Sequence, residues 1–352
     1  MILPVVDENF RAARLVPQAA PTRLQVNLGE RCNLRCVHCI TDAPQKTKDE
    51  TARVLSDEVL ARLAPHLRHA HYVGLTHAGE PIMQPQFRPL LQELRARRSG
   101  EPTVVHLLSN GLLMTPERLV EVAGLGVCSL SISLDGIFPQ SNDTVRIGSH
   151  IDVLLPRVAA LVAARAQHQL DVRLGVSTVC TQKNVGELTA LARALVAAGI
   201  DWWKLEEIYP HNDIAAALVI DRHTLDVAIA AAVDVGTRGG LKVLDHTREL
   251  EIWKCQLADH PRMKRRSQLD DFANRVEINP CRLPWELCCI EPDGDVKPMS
   301  FHHPVAGNLL NEDLATIWSG PVFQQARQDA SRRRLCGAGP VGCSADSGPL
   351  SW

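Results

Sequence analysis

Arg31-Cys32-Asn33-Leu34-Arg35-Cys36-Val37-His38-Cys39 sets three cysteines at C-x-x-x-C-x-x-C spacing directly after a short apolar run, residues 24–28. Three thiolates that close together can hold three irons of a cubane cluster and leave the fourth iron without a protein ligand, open to a small molecule. The same spacing fits a zinc site short of its fourth ligand, or buried cysteines that hold no metal. The chain has 11 cysteines among 352 residues, and its N-terminus carries no basic segment followed by an apolar one. A cytoplasmic, reducing location is therefore expected, where cysteines read as metal ligands or reactive thiols before disulfides.

Around this loop, short apolar or alternating runs take turns with amphipathic stretches. Strands are expected at residues 24–28, 71–76, 103–108, 129–134, 172–179 and 202–208, and helices at 57–67, 87–97, 116–123, 153–167 and 187–198. That alternation predicts repeated strand-helix units, an α/β fold built as a partial (β/α)6 TIM-like barrel. Cys32, Glu80, Asn110 and Asp135 follow the first four strands, at the end where parallel α/β folds gather their chemistry. Later come an Ala-rich helix (218–235), a short strand (241–244), a basic stretch (262–266) that reads as a solvated loop, and a cysteine-bearing tail. The expected organisation is an N-terminal extension (1–22), the partial barrel (23–212), a connecting helical segment (213–280) and a C-terminal module (281–352). A net charge of -2 and a pI near 6.7 leave no electrostatic footprint for nucleic acid, and no apolar run reaches membrane-spanning length, so neither partner is expected.

The cysteine spacing, its place after a first strand and several later segments resemble the radical S-adenosylmethionine superfamily, along most of the chain. In that family the methionine amino and carboxylate groups chelate the open iron of a [4Fe-4S] cluster on the three cysteines, here Cys32, Cys36 and Cys39. An electron from the cluster then cleaves the sulfonium to a 5'-deoxyadenosyl radical, which takes a hydrogen atom from substrate. His38 stands where the family usually has an aromatic residue beside the adenine. His77-Ala78-Gly79-Glu80-Pro81 resembles the family's Gly-Gly-Glu-Pro loop, with Ala78 replacing the first glycine; the resemblance implies that Gly79 and Glu80 bind the ligand's amino group. Asn110, in Ser109-Asn110-Gly111, is placed where the family approaches ligand, although Asn-Gly is equally an ordinary turn. Ser131, Ser133 and Asp135 share one face of the fourth strand. By resemblance Ser133 and Asp135 lie at the cofactor, and Arg146 pairs the methionine carboxylate through a bidentate fork. Thr178 and Asn184 are weaker candidates.

The sixth strand carries Lys204 and Glu206 in an apolar frame of Trp202, Trp203, Leu205 and Ile208. Alternation points both charges to one face. If that face is the barrel interior, the pair binds a polar substrate or relays a proton, which makes these two the expected catalytic residues; the alternative is an edge strand with solvated charges.

Cys281-Arg282-Leu283-Pro284-Trp285 opens a stretch that continues through Asp293-Gly294, a hairpin signal, to Cys336 and Cys343. It resembles the auxiliary-cluster domains called SPASM or twitch, which carry further [4Fe-4S] clusters. Met299 stands where that pattern usually has a cysteine. Cys281, Cys336 and Cys343 are then the expected ligands of one auxiliary cluster, with Cys289 the candidate fourth and Cys255, Cys288, His302, His303 and Met299 as alternatives; zinc or no metal is the other reading.

Peptide-modifying members with such domains often carry an N-terminal leader-binding domain, and few residues precede the first strand here. The expected substrate is therefore a sugar, aminoglycoside or nucleoside, dehydrogenated or epimerised in natural-product biosynthesis. The alternatives are sulfur insertion or sulfur-for-oxygen exchange at the auxiliary cluster, maturation of a ribosomally made peptide, and a noncatalytic metal-binding interaction protein. Expected cofactors are the radical-generating [4Fe-4S] cluster, S-adenosylmethionine and an auxiliary [4Fe-4S] cluster, and expected partners are a small-molecule substrate and an electron donor such as flavodoxin or ferredoxin.

Overall fold

The computed structural model describes residues 4–76, 78–97, 103–247, 282–299 and 303–331. Cys255, Cys281, His302, Cys336, Cys343, His77 and the basic stretch 262–266 lie outside the described residues. In chain order the described strands are β1 (Arg23–Val26), β2 (Arg35–Cys36), β3 (Tyr72–Leu75), β4 (Val104–Ser109), β5 (Ser129–Ser133) and β6 (Arg146–Ile147). They continue with β7 (Arg173–Cys180), β8 (Trp202–Glu207), β9 (Lys242–His246), β10 (Leu287–Ile290), β11 (Asp295–Pro298) and β12 (Gly307–Asn308).

The six expected strands all form, and they lie side by side in the order β1-β3-β4-β5-β7-β8, each parallel to its neighbour. Helices that connect parallel strands cover one face of such a sheet. Phe87–Ala96, Pro116–Gly124, Ile151–Gln167 and Leu188–Ala198 do so here, burying Leu90, Leu91, Leu119, Leu154 and Leu191 against Leu24, Val73, Leu107, Leu130 and Val176. Local signals stop and start these helices. Thr115 caps one by accepting the Arg118 N–H, and Gly199, at φ 76°, closes another in the left-handed conformation.

Two strands expected elsewhere join this sheet. The strand anticipated near 241–244, in a region separate from the barrel, forms as β9 and adds in parallel to β8. β10, from the C-terminal stretch, adds in parallel to β1 on the opposite edge, and the Asp293-Gly294 turn then leads into antiparallel β11 and β12. An open parallel sheet leaves a row of unpaired N–H and C=O groups on each edge, and β9 and β10 pair with those rows.

The C-terminal hairpin is also tied to the cysteine loop by charge. Glu30, almost fully buried, accepts the Arg53 Nε (3.1 Å), Nη2 (2.8 Å) and backbone N–H (2.9 Å) and the Lys46 ammonium (2.6 Å). Burial alone would raise the Glu30 carboxyl, but Arg53 and Lys46 bring it down to about 2. Arg53 reaches on to Asp293 (2.6 Å), in the hairpin turn, and Asn27 donates to Glu291 (3.2 Å). Arg53→Ala leaves Glu30 with Lys46 alone, and because Arg53 is partly solvated the expected loss is about 2 kcal/mol. Arg238→Ala, which breaks an exposed pair with Asp234, should cost under about 0.5 kcal/mol. Thermal unfolding of the two variants checks this, and equal shifts would contradict the clasp.

Candidate active site

The cysteine loop is held from three sides. Cys32 N–H donates to Thr47 Oγ1 (3.1 Å), and Cys32 Sγ accepts from Leu34 N–H (3.5 Å) and lies 4.0 Å from the Asn110 amide nitrogen, which donates to Asn33 Oδ1 (2.7 Å). β2 pairs with β6, setting Cys36 opposite Arg146, and Val37 N–H donates to Val145 O (2.9 Å). Burial pushes the Cys32 and Cys36 thiols up to about 11 and about 12, with Cys39 adding to both shifts. Thiols held neutral by burial become thiolates when a metal takes the proton's place. Among the described residues no three His, Cys, Asp or Glu side chains converge as a single metal ion requires; a cubane, which binds each thiolate on a different iron, does not need that convergence.

The loop after β3 reaches the cysteine loop through its backbone. Glu80 N–H donates to Arg31 O (2.8 Å). Gly79 has φ 59°, and a Cβ there would come within 2.5 Å of the Arg31 and Gly29 carbonyl oxygens, so only glycine fits. Ala78 keeps a positive φ of 52° where the family has glycine, a conformation that costs a non-glycine residue about 1 kcal/mol. The buried Glu80 carboxylate accepts from Ser109 Oγ (2.9 Å) and Asn110 N–H (2.8 Å). Burial nevertheless pushes it up to about 7, because no cation pairs with it among the described residues. A buried carboxylate with donors on one side and no counter-charge is complementary to an ammonium group.

Asp135, fully buried beyond the end of β5, is the most connected side chain of the site. Its Oδ1 accepts from Arg146 Nη2 (3.0 Å) and Val179 N–H (2.8 Å), and its Oδ2 lies 2.7 Å from Arg146 Nε and 3.3 Å from His38 Nε2 as ion-pair contacts. Burial lowers His38 to about 4 despite Asp135, so the imidazole is neutral, with Nε2 facing Asp135 Oδ2 at 3.3 Å. Its Nδ1 is buried without a hydrogen-bond partner among the described residues. The Arg146 guanidinium, which the resemblance assigns to the methionine carboxylate, is ion-paired with Asp135 through Nε and Nη2. Asn184 donates to the Asp135 and Val179 carbonyls, and Thr178 bridges Leu134 O and the Trp203 indole N–H; both serve the frame.

Register places the remaining candidates. In a parallel pair, aligned residues share a face, so Ser133, Ser177 and Lys204 line the face opposite the helices, as do Gln25, Gly74, His106 and Ser129. Lys204 Nζ lies 2.9 Å from Glu206 Oε1 on this inner face, with side chains 24% and 35% exposed; they face the barrel lumen. Sequence reasoning missed Gln25, Tyr72 and His106, although period-two alternation within each strand marks them. Cys289 is fully buried on the same face, opposite Gln25 and Lys297. Met299 packs with Val6, Trp285 and Ala330, an apolar contact in place of a ligand.

Residues 26–164 match the family model of the Radical SAM superfamily, and residues 281–343 match that of SPASM, an iron-sulfur cluster-binding domain. Mycofactocin maturase MftC of Mycobacterium tuberculosis is 25% identical over 320 residues, 89% of this chain and 74% of that protein. The tungsten-containing aldehyde ferredoxin oxidoreductase cofactor-modifying protein of Pyrococcus furiosus is 30% identical over 197 residues, 53% of this chain and 51% of that protein. Streptococcus suis SuiB, in its structure bound to the precursor peptide SuiA, shares the fold with a TM-score of 0.62 at 12% identity, covering 92% of this chain and 70% of SuiB. No described helix is long and apolar enough to cross a membrane. The two models together span more than half of the sequence, and the chain belongs to the radical S-adenosylmethionine superfamily, with a C-terminal SPASM iron-sulfur cluster-binding domain.

Proposed function

We propose that this enzyme matures a ribosomally made peptide, with Cys32, Cys36 and Cys39 as ligands of its radical-generating cluster. Membership of the superfamily brings a [4Fe-4S] cluster, S-adenosylmethionine and a further iron-sulfur cluster in the SPASM domain. When bound, these groups supply a 5'-deoxyadenosyl radical able to take hydrogen from carbon. The chain's own residues position and shield. Glu80 receives the methionine ammonium, which keeps its buried carboxylate ionised. Asn110 and Ser133 border the cofactor. Asp135 fixes Arg146, leaving Nη1 for the methionine carboxylate, and presents neutral His38 with Nδ1 as an acceptor for an adenine N–H. Lys204 and Glu206 meet the substrate in the lumen. Cys281, Cys336 and Cys343 hold the SPASM cluster, with Cys289 as the candidate fourth ligand, and a flavodoxin or ferredoxin delivers the electron.

The observation that carries the peptide reading is the match along 89% of the chain to a protein named as a maturase. SuiB, of the same fold, holding a precursor peptide adds support. This places a peptide ahead of the small polar substrate expected from the sequence, which rested on the few residues before β1. Chemistry on a small polar molecule is kept as a second reading because the Pyrococcus furiosus relative is named as a cofactor-modifying protein.

Two measurements follow. Glu80→Gln removes a buried carboxyl that lacks a counter-charge, so the variant should unfold at the same or higher temperature while binding S-adenosylmethionine about tenfold or more weakly. Unchanged affinity would contradict the role of Glu80. In the presence of a uniformly deuterated candidate precursor peptide, 5'-deoxyadenosine formed by the reconstituted enzyme should acquire deuterium. Acquisition from deuterated sugars or nucleosides, and not from peptide, would overturn the peptide reading in favour of the second.

A further inference from the structure

The lumen carries a set of hydrogen-bond donors deeper than the cofactor residues. Lys204 is water-accessible, whereas its neighbours Trp202, His106 and Ser131 are buried. His106 Nδ1 meets Ser129 Oγ at 2.8 Å, and its ring lies 5.8 Å from that of Trp202. Trp202 can lie across the floor because the aligned residue is Gly175, where a Cβ would come within 2.0 Å of the indole. Tyr72 lies on the same face, with the Arg23 guanidinium 4.9 Å from its ring centroid.

Lys204 influences both rings. Burial and then Lys204 push His106 down to about 3, so its imidazole is neutral, with Nδ1 engaged by Ser129 Oγ. Burial raises the Tyr72 phenol, opposed by Arg23 and Lys204, so it keeps its O–H. Lys204 thus presents an ammonium on a face that also carries Tyr72, neutral His106, Gln25 and serines.

We propose that Lys204, on the face that also carries Tyr72 and His106, anchors a carboxylate-binding subsite that orients an acidic group of the substrate beneath the cofactor. The proposal rests on the reading that the lumen holds the substrate. Glu206 already occupies this position from within the chain, with its carboxylate 2.9 Å from the Lys204 ammonium. Burial would raise Glu206, but Lys204, His246 and Arg146 together hold it below the usual carboxylate range. A substrate carboxylate can therefore take Lys204 from Glu206 without leaving Glu206 among neutral groups. The acid is a side chain or terminus of a peptide, or the carboxylate of a small molecule.

Ligand-observed NMR on the anaerobically reconstituted enzyme with S-adenosylmethionine tests this with two matched pairs: N-acetyl-dialanine against its C-terminal amide, and glucuronate against glucose. In at least one pair the acid should bind about tenfold more tightly than its neutral partner. Lys204→Met should abolish that preference. Glu206→Gln should strengthen acid binding severalfold by removing the internal competitor, a gain that misfolding cannot imitate. Acid preference in the peptide pair supports the subsite together with the peptide reading; preference in the sugar pair alone supports the subsite while counting against that reading. Equal binding of acid and neutral ligand in both pairs, no binding in either, or a preference that survives Lys204→Met would overturn the subsite.

Discussion

A carboxylate buried beyond the end of β5 organises the site. Asp135 has no exposed surface, and a carboxylate in that position depends on the charges and donors around it. Its partners come from separate parts of the chain: Arg146 in β6, Val179 in β7 and His38 in the cysteine loop. Because β6 pairs with β2 across Arg146 and Cys36, the ion pair with Asp135 also ties the cysteine loop to the end of β5. Glu80 does the same from the β3 side through Arg31 and Asn110. The difference between the two carboxylates is chemical. Asp135 is matched by an arginine inside the chain, whereas Glu80 has donors but no cation among the described residues, which is the arrangement expected where a ligand supplies the positive charge.

The two faces of the sheet divide the work. Leucine, valine and isoleucine on the outer face meet the helices and provide most of the apolar burial, while serines, Gln25, His106 and the Lys204–Glu206 pair line the inner face. A polar inner face is costly unless its groups are bonded, and they are: Ser131 to Ser177, His106 to Ser129, Gln25 to Thr76 and the Gly74 carbonyl. The water-accessible Lys204–Glu206 pair is the part of this face best able to exchange its partners for those of a substrate. On the edge of the sheet, β10 and the Glu30–Arg53–Asp293 clasp make the C-terminal hairpin continuous with the strand that delivers the cysteine loop.

Much of this was legible in the sequence. Each barrel strand was marked by a short apolar or alternating run, and the cysteine loop, Glu80, Asn110 and Asp135 by their places at strand ends. Parallel strand order follows from the alternation with helices. What was not legible depended on pairings distant in sequence. Nothing local to residues 241–244 says that the strand will join β8, and nothing in Arg53 foretells Glu30 or Asp293. The resemblance assigns Arg146 to the cofactor carboxylate, and nothing local to either residue foretells its ion pair with Asp135, eleven residues earlier. Met299 was legible as a departure from the cysteine pattern, and its packing against Val6 and Trp285 gives the departure a physical meaning.

The central claim, that Cys32, Cys36 and Cys39 hold a cluster distinct from that of the SPASM domain, is tested most directly by iron analysis and EPR of the anaerobically reconstituted enzyme beside a triple alanine variant at those positions. The account predicts that the variant loses about four irons together with the signal that shifts on addition of S-adenosylmethionine, and keeps the iron of the SPASM domain. Full iron content and a persistent S-adenosylmethionine-responsive signal in the variant would contradict it.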